Sequence, residues 1–339
     1  MGSAIVVGFG KMGMLRAATL RMLGVERVVI CEPSSLIQQG IRAFAPRAPI
    51  VSTYQDVLRR EPIDVAVIAT PTASHAPIFR DLAPVVRGVF VEKPFAISAE
   101  VAREAVAALP EDRRPGVMVS HCLRFAMPFM EAKRLLAASV LGTVQRFEAT
   151  MLSSDVLRLT RGWRSRSKTA GGGVLLDLGS HLVDIVRMCF GTPERLRGSV
   201  SSVVWRGTED AFTSEWAYEG FAGTLDCSWS SRAVRKATLE VRISGSGGDM
   251  FVSDDVVELD LREAGAGLAA GKHRFPITAL EQPVAFDLAA PMYTRQMQAW
   301  LSTVATGQPT ANSIDENLEN LRVIDLIRGS EGQWLAARA

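Results

Sequence analysis

Six short runs, "SAIVVG", "RVVIC", "APIVST", "DVAVIAT", "GVFVEK" and "GVMVSH", follow one another between residues 3 and 121 of a 339-residue chain. Each is dense in Val and Ile and scarcely broken by polar residues. That pattern predicts strands buried on both faces, as in a parallel sheet covered by helices. Helical spacing fills the gaps; in residues 11–23, Leu15, Ala18 and Met22 fall on one apolar face. Repeated strand–helix units of this kind specify a doubly wound α/β sheet.

Beyond residue 122 the rhythm changes. A helix near 126–138 leads to the strand "TVQRFEATML", and a basic loop and a glycine cluster open a helix near 172–190. From 195 to about 262, "RLRGSVSSVVW", "TSEWAYE", "GTLDCSWS" and "ATLEVRISG" are separated by Gly, Ser and Asp, which predicts hairpins in a mostly antiparallel sheet. "AGAGLAAG" (264–271) reads as loop, Asp254-Asp255 as a hairpin turn, and helices near 291–306 and 313–328 close the chain. The length suits two domains. Residues 1–122 form the expected doubly wound domain. Residues 123–339 form an α+β domain, with the final helix free to pack back on the first.

Composition narrows the partners. A formal charge of +2 gives no reason to expect nucleic acid or membrane, and no apolar run is long enough to span a bilayer. Cys31, Cys122, Cys189 and Cys227 are widely spaced, which argues against a disulfide framework or a cysteine metal site and fits a reducing cytoplasm. No metal is expected.

Three glycines, Gly8, Gly10 and Gly13, stand between the first strand and the first helix in "GFGKMG". In that setting G-x-G-x-x-G is the fingerprint of a Rossmann dinucleotide site: one glycine for the turn, one for approach of the pyrophosphate, one for helix–strand packing. The helix start, with Lys11 and Met12, adds N–H groups and partial positive charge. Glu32 ends the second strand, 19 positions after Gly13, with Pro33, Ser34 and Ser35 behind it and no arginine. A carboxylate there accepts from the ribose hydroxyls and repels a 2′-phosphate, so NAD is expected over NADP. Thr70-Pro71 ends the fourth strand on the carboxyl edge of the sheet. His75 begins the next helix, there either to touch the cofactor or to be satisfied by backbone.

Glu92 and Lys93 end another buried strand on the same edge, a costly place for two charges unless something uses them. Lys93 could hydrogen-bond a substrate oxygen beside the nicotinamide, or form an ion pair with Glu92. Pro94 makes the Lys93–Pro94 bond a plausible cis site. Further on, Asp177, His181 and Asp184 in "DLGSHLVD" lie at i, i+4 and i+7 among apolar residues and predict a polar stripe on one helix. Gly171–Gly173 just before it would admit the close approach of a ligand to the backbone.

Taken together, G-x-G-x-x-G, the acidic strand end, "ATPTASH", "EKP" and "GGGVLLDLGSHLVD" resemble the GFO/IDH/MocA oxidoreductases over nearly the whole chain. The resemblance implies catalytic roles for Lys93, Asp177 and His181, and an open second-domain sheet that mediates a homodimer or homotetramer. It also implies substrate contacts from Arg124 in "HCLRFAMPF" and from Trp163 and Arg164. The cofactor set is Gly8, Gly10, Lys11, Met12, Gly13, Glu32, Thr70, Pro71, His75, Glu92 and Lys93. The expected reaction is NAD-dependent hydride transfer at a secondary alcohol or ketone carbon of a sugar, cyclitol, sugar phosphate or nucleotide sugar. An imine or enone reductase and a non-catalytic NAD-binding regulator are the alternatives. "RLTRGWRSRSK" (158–168) reads as a solvated charged loop, a subunit contact or a phosphate-recognising element.

Overall fold

The computed structural model describes residues 1–154, 171–204, 208–308 and 312–338. The chain forms two compact units, one made of Met1–Cys122 with Pro283–Leu318 and the other of Leu123–Gln282 with Glu319–Ala339.

In the first unit β1 (Ser3–Val7), β2 (Arg27–Cys31), β3 (Ile50–Val51), β4 (Val65–Ile68), β5 (Gly88–Val91) and β6 (Val117–Val119) form one sheet in the order β3-β2-β1-β4-β5-β6. Every pairing is parallel. Helices α1 (Lys11–Met22), α2 (Ser35–Phe44), α3 (Tyr54–Leu58), α4 (His75–Leu82) and α5 (Ala99–Ala107) intervene. All four residues of β4 and of β5 are buried, as the unbroken apolar runs require. Strand order reverses between β1 and β4, the switch point at which sheets of this kind bind ligands beyond the strand carboxyl ends.

Helix α1 corrects one reading. Its buried residues are Gly13, Arg16, Ala17, Thr19 and Leu20, whereas Met14 and Met22 are more than half exposed. The face marked by Leu15, Ala18 and Met22 is therefore not the one that packs on the sheet. The inversion has a cause: Arg16, fully buried, is ion-paired inside the unit, so the core-facing side carries the charged residue.

Residues 283–318, assigned from sequence to the second domain, pack with the first unit. On the helix Pro291–Thr306, Trp300 is fully buried, donates from Nε1 to the Gly116 carbonyl at 3.0 Å, and meets the Phe90 ring edge-on at 5.4 Å.

The second unit holds α6 (Met127–Ala137), β7 (Val144–Leu152), α7 (Val174–Asp177) and α8 (Gly179–Phe190). Seven strands follow: β8 (Arg195–Ser201), β9 (Ala211–Tyr218), β10 (Phe221–Ser228), β11 (Thr238–Gly245), β12 (Gly248–Ser253), β13 (Val256–Leu261) and β14 (Gly271–Pro276). With β15 (Leu335–Ala336) they make a nine-stranded sheet, β14-β13-β12-β11-β7-β10-β9-β8-β15. All its pairings are antiparallel except β7 with β10. Buried and accessible residues alternate along β9 and β12, so one face is core and the other open. Among the described residues no helix is long and apolar enough to cross a membrane, and no group of His, Cys, Asp and Glu is placed to hold a metal.

Candidate active site

Parallel register sets the first unit's site residues side by side. Val7 pairs with Cys31 and Ile68, and Ile68 pairs with Val91. The ladder runs one step further, with Gly8 N–H donating to Cys31 O, Ala69 N–H to Val7 O, and Glu92 N–H to Ile68 O. Gly8, Glu32, Thr70 and Lys93 thus leave neighbouring strands at one carboxyl edge.

Each glycine of the turn has its own steric reason. Gly8 has φ +89°, and a Cβ there would lie 2.8 Å from the Ala69 carbonyl oxygen. A Cβ on Gly13 would lie 1.9 Å from the Gly8 oxygen, so helix and strand touch through it. A Cβ on Gly10 would meet nothing within 4 Å. The middle glycine therefore borders open space at the N-terminus of α1, where a diphosphate fits. Lys11 is the first, exposed residue of α1, and Met12 beside it is half-buried.

Glu32 is 7% exposed and held rigidly. One carboxylate oxygen accepts from Phe9 N–H at 3.0 Å and the other from Ser34 N–H at 2.9 Å, while Gln38 donates to the Glu32 carbonyl at 2.6 Å. At the end of β4, Thr70 Oγ1 accepts from Ser74, and exposed Pro71 precedes a single 3-10 turn, Thr72–Ser74.

His75 is buried, with Nδ1 2.9 Å from the Pro94 carbonyl and Nε2 2.7 Å from the Thr70 carbonyl. Of its two sequence readings the backbone one describes the ring. Burial pushes its pKa down, against the opposing pull of the two carbonyls and Glu92.

Glu92 is likewise buried, and its partner is Arg16, whose Nε donates to Oε1 at 2.8 Å. Arg16 Nη2 also donates to Ser120 Oγ at 2.6 Å and to Gln296 Oε1 at 3.3 Å. The carboxylate that the sequence offered to Lys93 is thus shared with an arginine from α1. The Lys93–Pro94 bond is cis. Lys93 is the single residue from 88 to 96 that is not buried. Cys122, close to Arg16, Glu92 and Lys93, has its thiol pushed up to about 11 by burial, which leaves no reactive thiolate at neutral pH.

In the second unit two glycines of the cluster are packed close against protein. A Cβ on Gly173 would lie 1.9 Å from the Glu209 carbonyl oxygen, and one on Gly172 would lie 2.8 Å from the Arg328 guanidinium. Glu209 binds that turn, its carboxylate accepting from Gly173 N–H at 2.9 Å. The expected polar stripe divides. From Gly173 to Val186 only Asp177 and His181 are not buried. Asp184 is fully buried and grips Arg124, whose Nε donates at 3.0 Å and 2.8 Å to the two carboxylate oxygens; Asn320 donates at 2.6 Å. Arg124, expected to face substrate, is thus inside the unit as half of a buried ion pair. Trp163, Arg164 and the basic stretch 158–168 lie outside the described residues.

Sequence reasoning passed over Arg16, Tyr293 and Gln296. An arginine on the Ala17–Leu20 side of an otherwise apolar helix was a usable signal for the first. The other two come from more than 170 residues away, with no local mark.

A glycine turn, an acidic strand end and a lysine on one edge of a parallel sheet are the parts of a dinucleotide-binding oxidoreductase. Residues 3–121 match the oxidoreductase family's NAD-binding Rossmann fold and residues 129–251 match the GFO/IDH/MocA C-terminal domain, so the chain belongs to the GFO/IDH/MocA family. It is 25% identical over 322 residues to D-apiose dehydrogenase of Paraburkholderia graminis, covering 93% of this chain and 82% of that one. To inositol 2-dehydrogenase of Rubrobacter xylanophilus it is 29% identical over 153 residues, 44% of each. Its fold matches levoglucosan dehydrogenase in complex with NADH and levoglucosan at a TM-score of 0.85 and 18% identity, over all of both chains. GenD2 from gentamicin A biosynthesis, in complex with NAD, matches at 0.78 and 25% identity, over all of this chain and 97% of that one.

Proposed function

We propose that the protein is an NAD-dependent dehydrogenase that moves a hydride between nicotinamide and a secondary alcohol or ketone carbon of a sugar or cyclitol. One observation carries the reading. In two otherwise buried runs the accessible residues are Lys93 and the pair Asp177 and His181, the same three that match the family's catalytic residues.

Gly8, Gly10, Gly13 and the first N–H groups of α1 would hold the diphosphate, and Glu32 the adenine ribose. NAD, once bound there, supplies the hydride acceptor at the nicotinamide ring. His181 takes the hydroxyl proton, which suits an imidazole whose ordinary pKa is near neutrality. Lys93 hydrogen-bonds the same oxygen and stabilises the negative charge that grows on it. Asp177 orients the substrate or the imidazole. For carbonyl reduction the same groups act in reverse.

NAD is favoured over NADP because the Glu32 carboxylate is fixed from both sides by backbone N–H groups. It cannot swing away from a 2′-phosphate, and the repulsion would be felt in full.

The test is absorbance at 340 nm across a panel of polyols, free sugars, sugar phosphates and nucleotide sugars, with NAD and NADP in parallel. Turnover of a polyol or sugar with NAD, reduced at least about a hundredfold in Lys93→Met while NAD binding stays within about threefold, is the expected result. NAD binding with no turnover on any substrate would instead make the protein a regulator.

A further inference from the structure

Lys93 is half-buried between two buried neighbours that are tied down, and the ties come from two different helices. On one side Glu92 is gripped by Arg16, six residues into the helix whose N-terminus borders the diphosphate space. Arg16 is itself fixed five ways. It donates to Glu92, Ser120 and Gln296, and its guanidinium lies 4.6 Å from the Phe90 ring centre and 5.2 Å from that of Tyr293. On the other side the Pro94 carbonyl lies 2.9 Å from His75, whose second ring nitrogen lies 2.7 Å from the Thr70 carbonyl. Both anchors are at most 1% exposed.

We infer that Arg16 and His75 are positioning residues for Lys93, fixing its ammonium relative to the cofactor-binding turn. The inference rests on the catalytic reading of Lys93 given above. Stability alone accounts poorly for the arrangement, because a buried ion pair generally adds little over apolar residues of the same volume. Placement accounts for it well. A displacement of the order of 1 Å at a reacting group can cost roughly a hundredfold in rate, so rigid support for one lysine is worth several buried polar groups. Arg16 also gives the support a reference point, since the helix that bears it begins at the diphosphate site.

The chain has only six lysines, so reductive methylation with a ¹³C label gives an uncrowded spectrum in which loss of one signal in Lys93→Met assigns Lys93. In the parent the Lys93 signal should stand apart from those of the exposed lysines and shift when NAD is added. In the double variant Arg16→Met/Glu92→Leu, which leaves no unpaired buried charge, it should move at least halfway to the exposed position and lose its response to NAD supplied at saturation, as checked by NADH fluorescence titration. An unchanged Lys93 signal in a variant whose Tm stays within a few degrees of the parent overturns the proposal. Should the double variant not fold, Glu92→Gln, of the same shape, carries the test with the same two outcomes. His75→Asn tests the other anchor in the same way. The catalytic reading fails separately, if Lys93→Met keeps its turnover on the polyol and sugar panel.

Discussion

Gly10 and Gly13 look alike in sequence and differ in what surrounds them. A methyl on Gly13 strikes backbone, which cannot step aside, so Gly13→Ala should cost about 3 kcal/mol or more and lower Tm by roughly 6–12 °C. A methyl on Gly10 enters open space at an ordinary φ of −72°, so Gly10→Ala should melt within about 2 °C of the parent. It should nevertheless weaken NAD binding by about tenfold, since the space it fills is the ligand's. Calorimetric melting beside NADH fluorescence titration separates the two. His75 makes a second residue-scale prediction. Its folded pKa lies below the ordinary value near 6.5, so the unfolded chain binds the proton more readily. Stability is then complete above about pH 6.5 and declines as pH falls below it, by at most about 1.4 kcal/mol per pH unit. Denaturant midpoints between pH 7.5 and 5 should fall in the parent and run flatter in His75→Asn. Placement at this scale was readable where residue type and spacing sufficed, as with Gly8, Glu32 and Lys93 at one edge of the sheet. It was misread where a partner distant in sequence decided the outcome, as when Asp184 claimed Arg124.

At the scale of elements, strands buried on both faces announce themselves, which is why β1, β2 and β4–β6 were legible as apolar runs. Strand β14, "GKHRFP", was not, because it lies at the sheet edge with none of its residues buried and pairs only with β13. The parallel join of β7 to β10 is a long-range pairing that no hairpin spacing encodes. Helix α1 was located correctly but rotated, because hydrophobicity misleads wherever a charge is buried and paired. Helix α8 holds the same kind of exception in Asp184. Asp184→Ala would leave the Arg124 guanidinium buried without its carboxylate, at a cost of about 3–5 kcal/mol. Asp184→Asn keeps an oxygen for Asn320 and one hydrogen bond for Arg124, and should lose less. Denaturant unfolding of the two variants checks the order; equal losses would mean that the carboxylate charge alone, and not the side chain's shape or its remaining hydrogen bonds, holds Arg124 and the helix in place.

The chain as a whole completes its nucleotide-binding unit late, leaving it after Cys122 and returning at Pro283. The return has physical weight. Trp300 and Met297 on the helix Pro291–Thr306 are fully buried, and Gln296 closes the polar cage around Arg16. Burial of two such side chains is worth about 3–6 kcal/mol, a large part of the 5–15 kcal/mol by which a domain is usually stable. Without that helix Phe90 and the Gly116 carbonyl lose their Trp300 partner, and Arg16 loses an acceptor. A fragment of residues 1–122, although it contains every strand of the parallel sheet and the entire glycine turn, should therefore lack a cooperative thermal transition and bind NADH at least about tenfold more weakly than the full chain. Joining residues 283–318 to it through a flexible Gly/Ser linker should restore both, because the missing contacts are supplied within one unit. A fragment of 1–122 that melts sharply and binds NADH with the affinity of the full chain would show instead that the sheet and its first five helices are self-sufficient, and that the returning helix is only a cover.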